Sequence, residues 1–292
     1  MRRVALCVSL AAALATAVPL AQSSQKHFIW AVRQAGGPPT YLVGSLHVLT
    51  PEYYPLPAAL EQPFATSKVL IEEVDLDELT NPMTAMALIG KAMYVDGKTL
   101  DQVISPTLYK QVEARAAKAG IPIEAIQRMK PWMAAVSLTA PALKSAGFNT
   151  ELGVDKHFFD KAKKAGIERR SLESVSYQFD RLDQMSPALH EAMLKSVLAD
   201  LDTEISNVKT IAQAWSKGET ATIERFLLGA LMESPELYNR LLVERNKNWV
   251  APIEQCVQQK TQCFVVVGAA HLVGPHSVVA LLKQKGYSVE QQ

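Results

Sequence analysis

Two histidines far apart in the chain share one sequence context: His47 lies in YLVGSLHVL (41–49) and His271 in VVVGAAHLV (265–273). In each, an apolar run rich in β-formers leads into Gly-x-x-His, which puts the ring where a strand hands over to a loop. A third such run, VLIEE (69–73), ends in carboxylates. If the three strands lie parallel in one sheet, their C-terminal ends share an edge, and there open α/β sheets hold their ligand crevices. Two imidazoles and a carboxylate at one edge suit a divalent ion, whether Mn, Co, Zn or Fe. Such an ion lowers the pKa of water and polarises a carbonyl, the chemistry of a hydrolase. The plainer reading is that each histidine is a hydrogen-bonded surface or core residue; the repeat in matching contexts favours the metal. Each glycine is expected to let the backbone turn sharply, or approach a ligand closely, as its strand ends. Glu72 competes with Glu73 for the crevice, since side chains alternate along a strand and only one of the two can face it. Asp75 and Asp77 are expected to begin the next helix.

The elements that must position these residues are legible as patterns. Strands are predicted at Phe28 to Arg33, Tyr41 to Gly44, Val69 to Val74, Arg169 to Leu172 and Cys263 to Gly268, with Tyr287 to Glu290 as a closing edge strand. Gly36-Gly37-Pro38-Pro39 reads as the turn of an antiparallel hairpin between the first two. Helical spacing covers Asp101 to Ala119, Pro131 to Ala146, and Asp155 to a stop at Gly166. From Ser174 to Val257 the pattern is helical with breaks at Pro187, Gly218 and Pro235. The fold class expected is α/β: a mixed central β-sheet flanked by helices, in a single domain over 22–292, with a large helical insertion or cap at about 77–147 and 174–257.

Composition narrows the partners. With 292 residues, a formal net charge of +1 and 48% hydrophobic residues, the chain can bury a full core and has no electrostatic bias toward nucleic acid. The Lys161, Lys163, Lys164 run reads as a solvated helix face. Residues 1–21, with Arg2 and Arg3 before an apolar run and Ala15-Thr16-Ala17 beyond it, have the layout of a cleaved signal peptide, the alternative being an uncleaved anchor. No later run is apolar enough to span a bilayer. A periplasmic or secreted protein with no membrane span after signal removal is therefore expected. Loss of the signal removes Cys7 and leaves Cys256 and Cys263, an even pair that an oxidising compartment would join if the intervening turn brings them together. Such a short loop would stabilise by roughly 2 kcal/mol; two reduced thiols held too far apart are the alternative.

The same motifs carry a family resemblance. YLVGSLHVL, VLIEEVDL, the KPW step at Lys130 to Trp132, LGVDKHFFDKAKKAGIERRSLE, ERNKNW at Glu244 to Trp249 and VVVGAAHLVGPHSVVALLKQKGY together resemble the TraB/GumN family, which is related to the Tiki metalloproteases and more remotely to erythromycin esterases and haem-binding ChaN-like proteins. That resemblance implies a metal-dependent hydrolytic site with His47, His271 and Glu73 as metal ligands, Glu73 being selected by its place before Val74-Asp75. It implies a peptide or protein substrate, and maps substrate-binding positions onto Asp155, Glu173, Arg245 and Asn246. Glu73 would complete the coordination or accept the proton of the attacking water. Arg245 would hold a substrate carboxylate or an oxyanion, or else form an ion pair with Asp155 or Glu173; Asn246 would bind substrate or fix its loop. The alternative function is a non-catalytic binder of haem, metal or a peptide signal. His276, just after the second Gly-x-x-His, is within reach of the same crevice, though a place away from any ligand is the plainer reading for it; His27, His157 and His190 are expected away from ligands, His190 on a polar helix face. Trp132 and Trp249 read as core packing.

Overall fold

The computed structural model describes residues 25–199 and 201–292; the expected signal segment, residues 1–21, lies outside them. Six strands form one mixed sheet: β1 (Ile29–Arg33), β2 (Thr40–Ser45), β3 (Val69–Glu72), β4 (Glu168–Ser171), β5 (Cys263–Gly268) and β6 (Ser288–Gln291). Their spatial order is β4-β3-β5-β2-β1-β6. β4, β3, β5 and β2 run parallel, while β1 is antiparallel to both β2 and β6. The fold class is therefore the mixed α/β architecture expected, including the antiparallel β1–β2 hairpin.

The reason lies in the strands themselves. β5, CFVVVG, is apolar on both faces and buried almost throughout, as a strand covered by helices on either side must be. β4, ERRS, is charged and mostly exposed, which suits the edge it occupies and blunts pairing with another chain. On one face of the sheet, the helices Ala58–Thr66 and Val154–Ala165 bury Phe64 and Phe158 against Phe264 of β5, with ring centroids 4.7 to 5.4 Å apart. The second of these helices ends where Gly166 adopts φ 65°, the left-handed cap that glycine takes without a Cβ clash. Trp215, Trp249 and Ile253 also belong to the sheet's core.

A second apolar cluster sits apart from the sheet. Leu100, Leu108, Val112, Ile126, Leu138 and Leu194 form it, drawn largely from the helices Pro106–Lys118, Pro131–Ser145 and Pro187–Ala199. The helix predicted from Asp101 begins later, at Pro106, because a short 3₁₀ turn with a Thr99 capping box precedes it and proline is placed at the first helical position. Cys256, at the end of the helix Glu244–Gln258, is bonded to Cys263 at the start of β5, with Cα atoms 6.2 Å apart. Among the described residues no helix is long and apolar enough to cross a membrane.

Candidate functional site

Sheet register assembles the site. Ser45 pairs with Gly268 and Glu72 with Val266, so β2, β5 and β3 end together on one edge. Beyond that edge β2 continues through Leu46 to His47, β3 into Glu73, and β5 into a 3₁₀ turn, Ala269–Leu272, that carries His271. The three side chains close around Gly268. A β carbon there would lie 3.2 Å from Glu73 Oε1, 3.5 Å from His271 Cδ2 and 3.8 Å from His47 Nε2. The two Gly-x-x-His glycines are needed for space and not for turning, contrary to the first half of the expectation: neither is among the positive-φ residues. At Gly44 a β carbon would sit 2.3 Å from the Phe28 ring, so this glycine admits a core aromatic behind the histidine loop.

Each imidazole is fixed through Nδ1. His47 Nδ1 is 2.9 Å from Asp155 Oδ2, and Asp155 is held in turn by the Ser45 hydroxyl at 2.9 Å and by its place in the first turn of the helix Val154–Ala165. The His47 side chain is 62% exposed. Desolvation opposes a charge on the ring, but the Asp155 carboxylate outweighs it and pushes His47 up to about 9. Burial raises Asp155, and the charge of His47 together with the hydrogen bonds brings it below the usual carboxylate range. His271 is buried, and burial drives it down to about 3, so it is neutral. Its Nδ1 is 2.6 Å from Asn246 Oδ1, while Asn246 Nδ2 donates to the His276 carbonyl at 2.8 Å. That second bond fixes the amide with its oxygen toward the ring. Nδ1 therefore carries the proton and Nε2 the lone pair.

Glu73 and Arg245 form the charged centre. Glu73 Oε1 accepts from the Gly268 N–H at 2.6 Å, and Oε2 from Arg245 at 2.6 Å and Gln178 at 3.0 Å. Burial raises this carboxyl, but the positive charges of Arg245 and His47 and the backbone N–H of Gly268 hold it down at about 2. Arg245 is 7% exposed and stacks on Trp249, 4.7 Å from its ring centroid. Its Nε donates to Glu173, Nη2 to Glu173 and Glu73, and Nη1 to the Leu241 carbonyl and His271 Nε2. All five N–H groups are engaged inside the protein. Glu173 takes the indole N–H of Trp249 as well, at 3.1 Å. Of the two ion pairs expected for Arg245, the one with Glu173 is present, joined by one with Glu73; Asp155 is turned to His47 instead.

Glu72 and Glu73 both line the crevice at the strand ends, a cavity of about 340 Å³. The two carboxyls have different surroundings: Glu73 is bonded to Gly268, Arg245 and Gln178, whereas the charged groups around Glu72 are Asp155, Arg169, Asp75 and Asp160, and of the two only Glu73 also lines the cavity that holds His271 and Arg245. Glu72 is 4% exposed, its Oε1 has no hydrogen-bond partner, and burial pushes it up to about 9. Asp75 caps the short helix Leu76–Leu79, and Asp77 pairs with Lys163 and Arg169.

The other expected positions fall as follows. Asn246 and Glu173 lie behind His271 and Arg245 and touch those side chains. His276 meets Asn246 through its carbonyl and packs its ring 6.1 Å from Tyr238. His157 binds Glu61. His190 is buried and bonds the Leu182 carbonyl, a correction to the polar face expected, since its helix packs that side against the chain. Ser45 and Gln178 were not anticipated; Ser45 lies inside the Gly-x-x-His motif, but nothing local marks Gln178.

The donor chemistry suits a divalent ion. His271 Nε2 and Glu73 Oε1 are 3.9 Å apart, within reach of one ion at about 2.0–2.2 Å from each donor. On the Gly268 side stand His47 Nε2 and the Cδ2 edge of His271, and each ring has Nδ1 already tied to an oxygen, the usual support for a metal-binding imidazole. As they stand, no three His, Cys, Asp or Glu side chains among the described residues make a ready metal cluster. Arg245 Nη1, 3.2 Å from His271 Nε2, occupies that lone pair and must give way before a cation shares it.

The chain is similar to known proteins over most of its length. The chain is 24% identical to Metalloprotease TIKI2 of Danio rerio over 93% of its own length and 62% of the relative's. It is 24% identical to Metalloprotease TIKI1 of the same organism, over 92% and 64% respectively. The chain thus spans about three fifths of the length of these TIKI relatives. It is 22% identical to the uncharacterized protein YbaP of Escherichia coli (strain K12), over 88% of this chain and 94% of that one. No solved structure matches. The TraB/PrgY/gumN family signature matches residues 28–291, nearly all of the described chain, and the protein belongs to that family.

Proposed function

We propose that the protein is an exported, metal-dependent hydrolase of peptide or protein substrates, with His47, His271 and Glu73 as the residues that hold a divalent ion. The observation that carries the reading is the convergence of these three side chains around Gly268 at the parallel strand ends. Bound there, a divalent ion would supply Lewis acidity toward a scissile carbonyl and lower the pKa of water. Glu73 is held as an anion by Arg245 and the Gly268 N–H, and would complete the coordination or accept the proton of the attacking water. Asp155 and Asn246 orient the two rings. Arg245 acts as a positioning residue that ties Glu73, Glu173 and His271 together, because its N–H groups are already committed. The names of the TIKI relatives support the peptidase assignment. The predicted signal segment and the Cys256–Cys263 bond support export to an oxidising compartment.

The test is to incubate the purified mature protein with a mixed peptide library, with and without Mn²⁺ or Co²⁺, and to sequence the new termini. Cleavage that needs the metal, stops with chelator and disappears in His47→Ala and His271→Ala is expected. Intact peptides under every metal condition, or cleavage that both variants retain, would overturn the reading.

A further inference from the structure

A second cavity, of about 740 Å³, opens beside the crevice and has no part in the site described above. Val48, Val136, Leu143, Phe148, Met193 and Val197 contribute its apolar wall. Two of its polar groups are spent on backbone: the Thr139 hydroxyl donates to the Ala135 carbonyl at 2.8 Å, and Asn149 Oδ1 accepts from the Glu151 N–H at 2.9 Å. Of the lining residues only Lys144 is charged. The size falls in the range of ligand pockets, roughly 300–1,000 Å³, and the lining asks for an apolar occupant.

Its position says which occupant. Val48 directly follows His47, and Thr150 lines both this cavity and the crevice that holds His47, Glu72 and Glu73. The ridge between the two is a backbone clasp, with Leu49 N–H to the Asn149 carbonyl at 3.3 Å and Asn149 N–H to the Leu49 carbonyl at 2.9 Å. The histidine loop and the cavity wall are thereby fixed relative to each other. The crevice also adjoins a cavity of about 440 Å³ that shares Ser45, His47, Glu73, Gln178 and Gly268 with it. The candidate site thus lies among adjoining cavities, one of them apolar. Such a run of connected cavities fits an extended chain better than a compact small molecule.

We propose that the Val136–Phe148–Met193 cavity is the specificity subsite of this protein and takes a bulky apolar side chain of an extended polypeptide substrate. An extended chain advances about 3.3–3.6 Å per residue, so a side chain held in a cavity that begins at Val48, next to His47, stands at one fixed position close to the bond cleaved. The inference rests on the hydrolase reading and adds to it a preference among peptides.

Two variants on exposed positions test it. Ala140→Trp fills the recess and Val136→Glu charges it; both residues line the cavity and neither is part of the buried core. Library cleavage by wild type is expected to show Phe, Leu or Met enriched at one fixed position from the new terminus. For matched peptides with Phe or Ala at that position, the kcat/KM ratio is expected to be at least about tenfold in wild type, the discrimination an apolar pocket gives. Both variants should bring the ratio close to one. In parallel, a dansyl-labelled hexapeptide with that Phe is titrated in chelator, where binding alone is read by anisotropy; its Kd should rise about tenfold in both variants, with unchanged circular dichroism confirming the fold. Cleavage with no apolar preference, or a preference and a Kd that both variants keep, overturns the subsite and leaves the hydrolase intact. Absence of all cleavage, with probe binding that the variants weaken, overturns the hydrolase and supports the cavity as an apolar peptide site.

Discussion

Asn246 Oδ1 lies 2.6 Å from His271 Nδ1, and that contact decides which nitrogen of a buried ring is free to act. Asp155 does the same for His47 at 2.9 Å. Replacing Asn246 by Ala removes the acceptor and lets the tautomer change. Metal affinity, read by isothermal titration with Mn²⁺ or Co²⁺, is expected to fall about 10- to 100-fold, as is usual for loss of such a supporting bond. Asp155→Ala should lower it similarly. Unaltered affinity in both would mean that the rings are held by packing alone.

Arg245 links two buried carboxylates, Glu73 and Glu173, at 2.6 and 2.7 Å. Arg245→Ala leaves them facing each other without a counter-charge in a site of low exposure. Its expected cost is on the order of 3–5 kcal/mol of unfolding free energy, the range for breaking a buried pair. Urea denaturation of the chelated protein measures it. A cost below about 1 kcal/mol, the ceiling for exposed pairs, would show that solvent reaches the triad.

Gly268→Ala inserts a methyl 3.2 Å from Glu73 Oε1 in the space the three candidate ligands share. Gly268 has φ −50°, which alanine adopts freely, so the backbone carries no penalty. The expected outcome is a folded protein with metal-dependent cleavage reduced at least about 100-fold, consistent with the cost of a 1 Å misplacement of reacting groups. Retained cleavage would place the reacting atoms elsewhere.

Glu72 supplies a pH prediction for the metal-free protein. Unfolded, it loses its proton near 4.5; folded, burial keeps the proton on until about 9. Between those values the folded state binds more protons than the unfolded one, so stability declines as pH rises. This group alone contributes a slope of up to about 1.4 kcal/mol per pH unit. Glu72→Gln should be more stable than wild type at pH 8, with a gap that widens steadily upward from pH 5. Denaturation midpoints in chelator across that interval check the sign, and a constant gap would mean that Glu72 ionises normally.

Much of this architecture is written locally. Apolar patterning placed the strands other than β4 to within one or two residues, because strand burial leaves its period in the sequence, while the charged, exposed β4 was legible from the helix stop at Gly166 before it. The matched Gly-x-x-His steps marked His47 and His271 as strand-end residues, and they are. Chemical type alone made imidazole and carboxylate the groups to watch.

What the sequence by itself determined, then, was the set of elements, the mixed sheet and the residue types at three strand ends. Only the tertiary structure decided the rest. It showed that Glu73, and not Glu72, lines the cavity that holds His271 and Arg245, that the motif glycines make room for side chains, and that Arg245 spends its donors inside the protein. It also selected Asp155, 108 residues from His47, and Asn246, 25 residues before His271, as the partners of the two rings. The physical reason is range: propensity and periodicity act over a few neighbouring residues, whereas a hydrogen bond between distant side chains depends on how whole helices seat against the sheet.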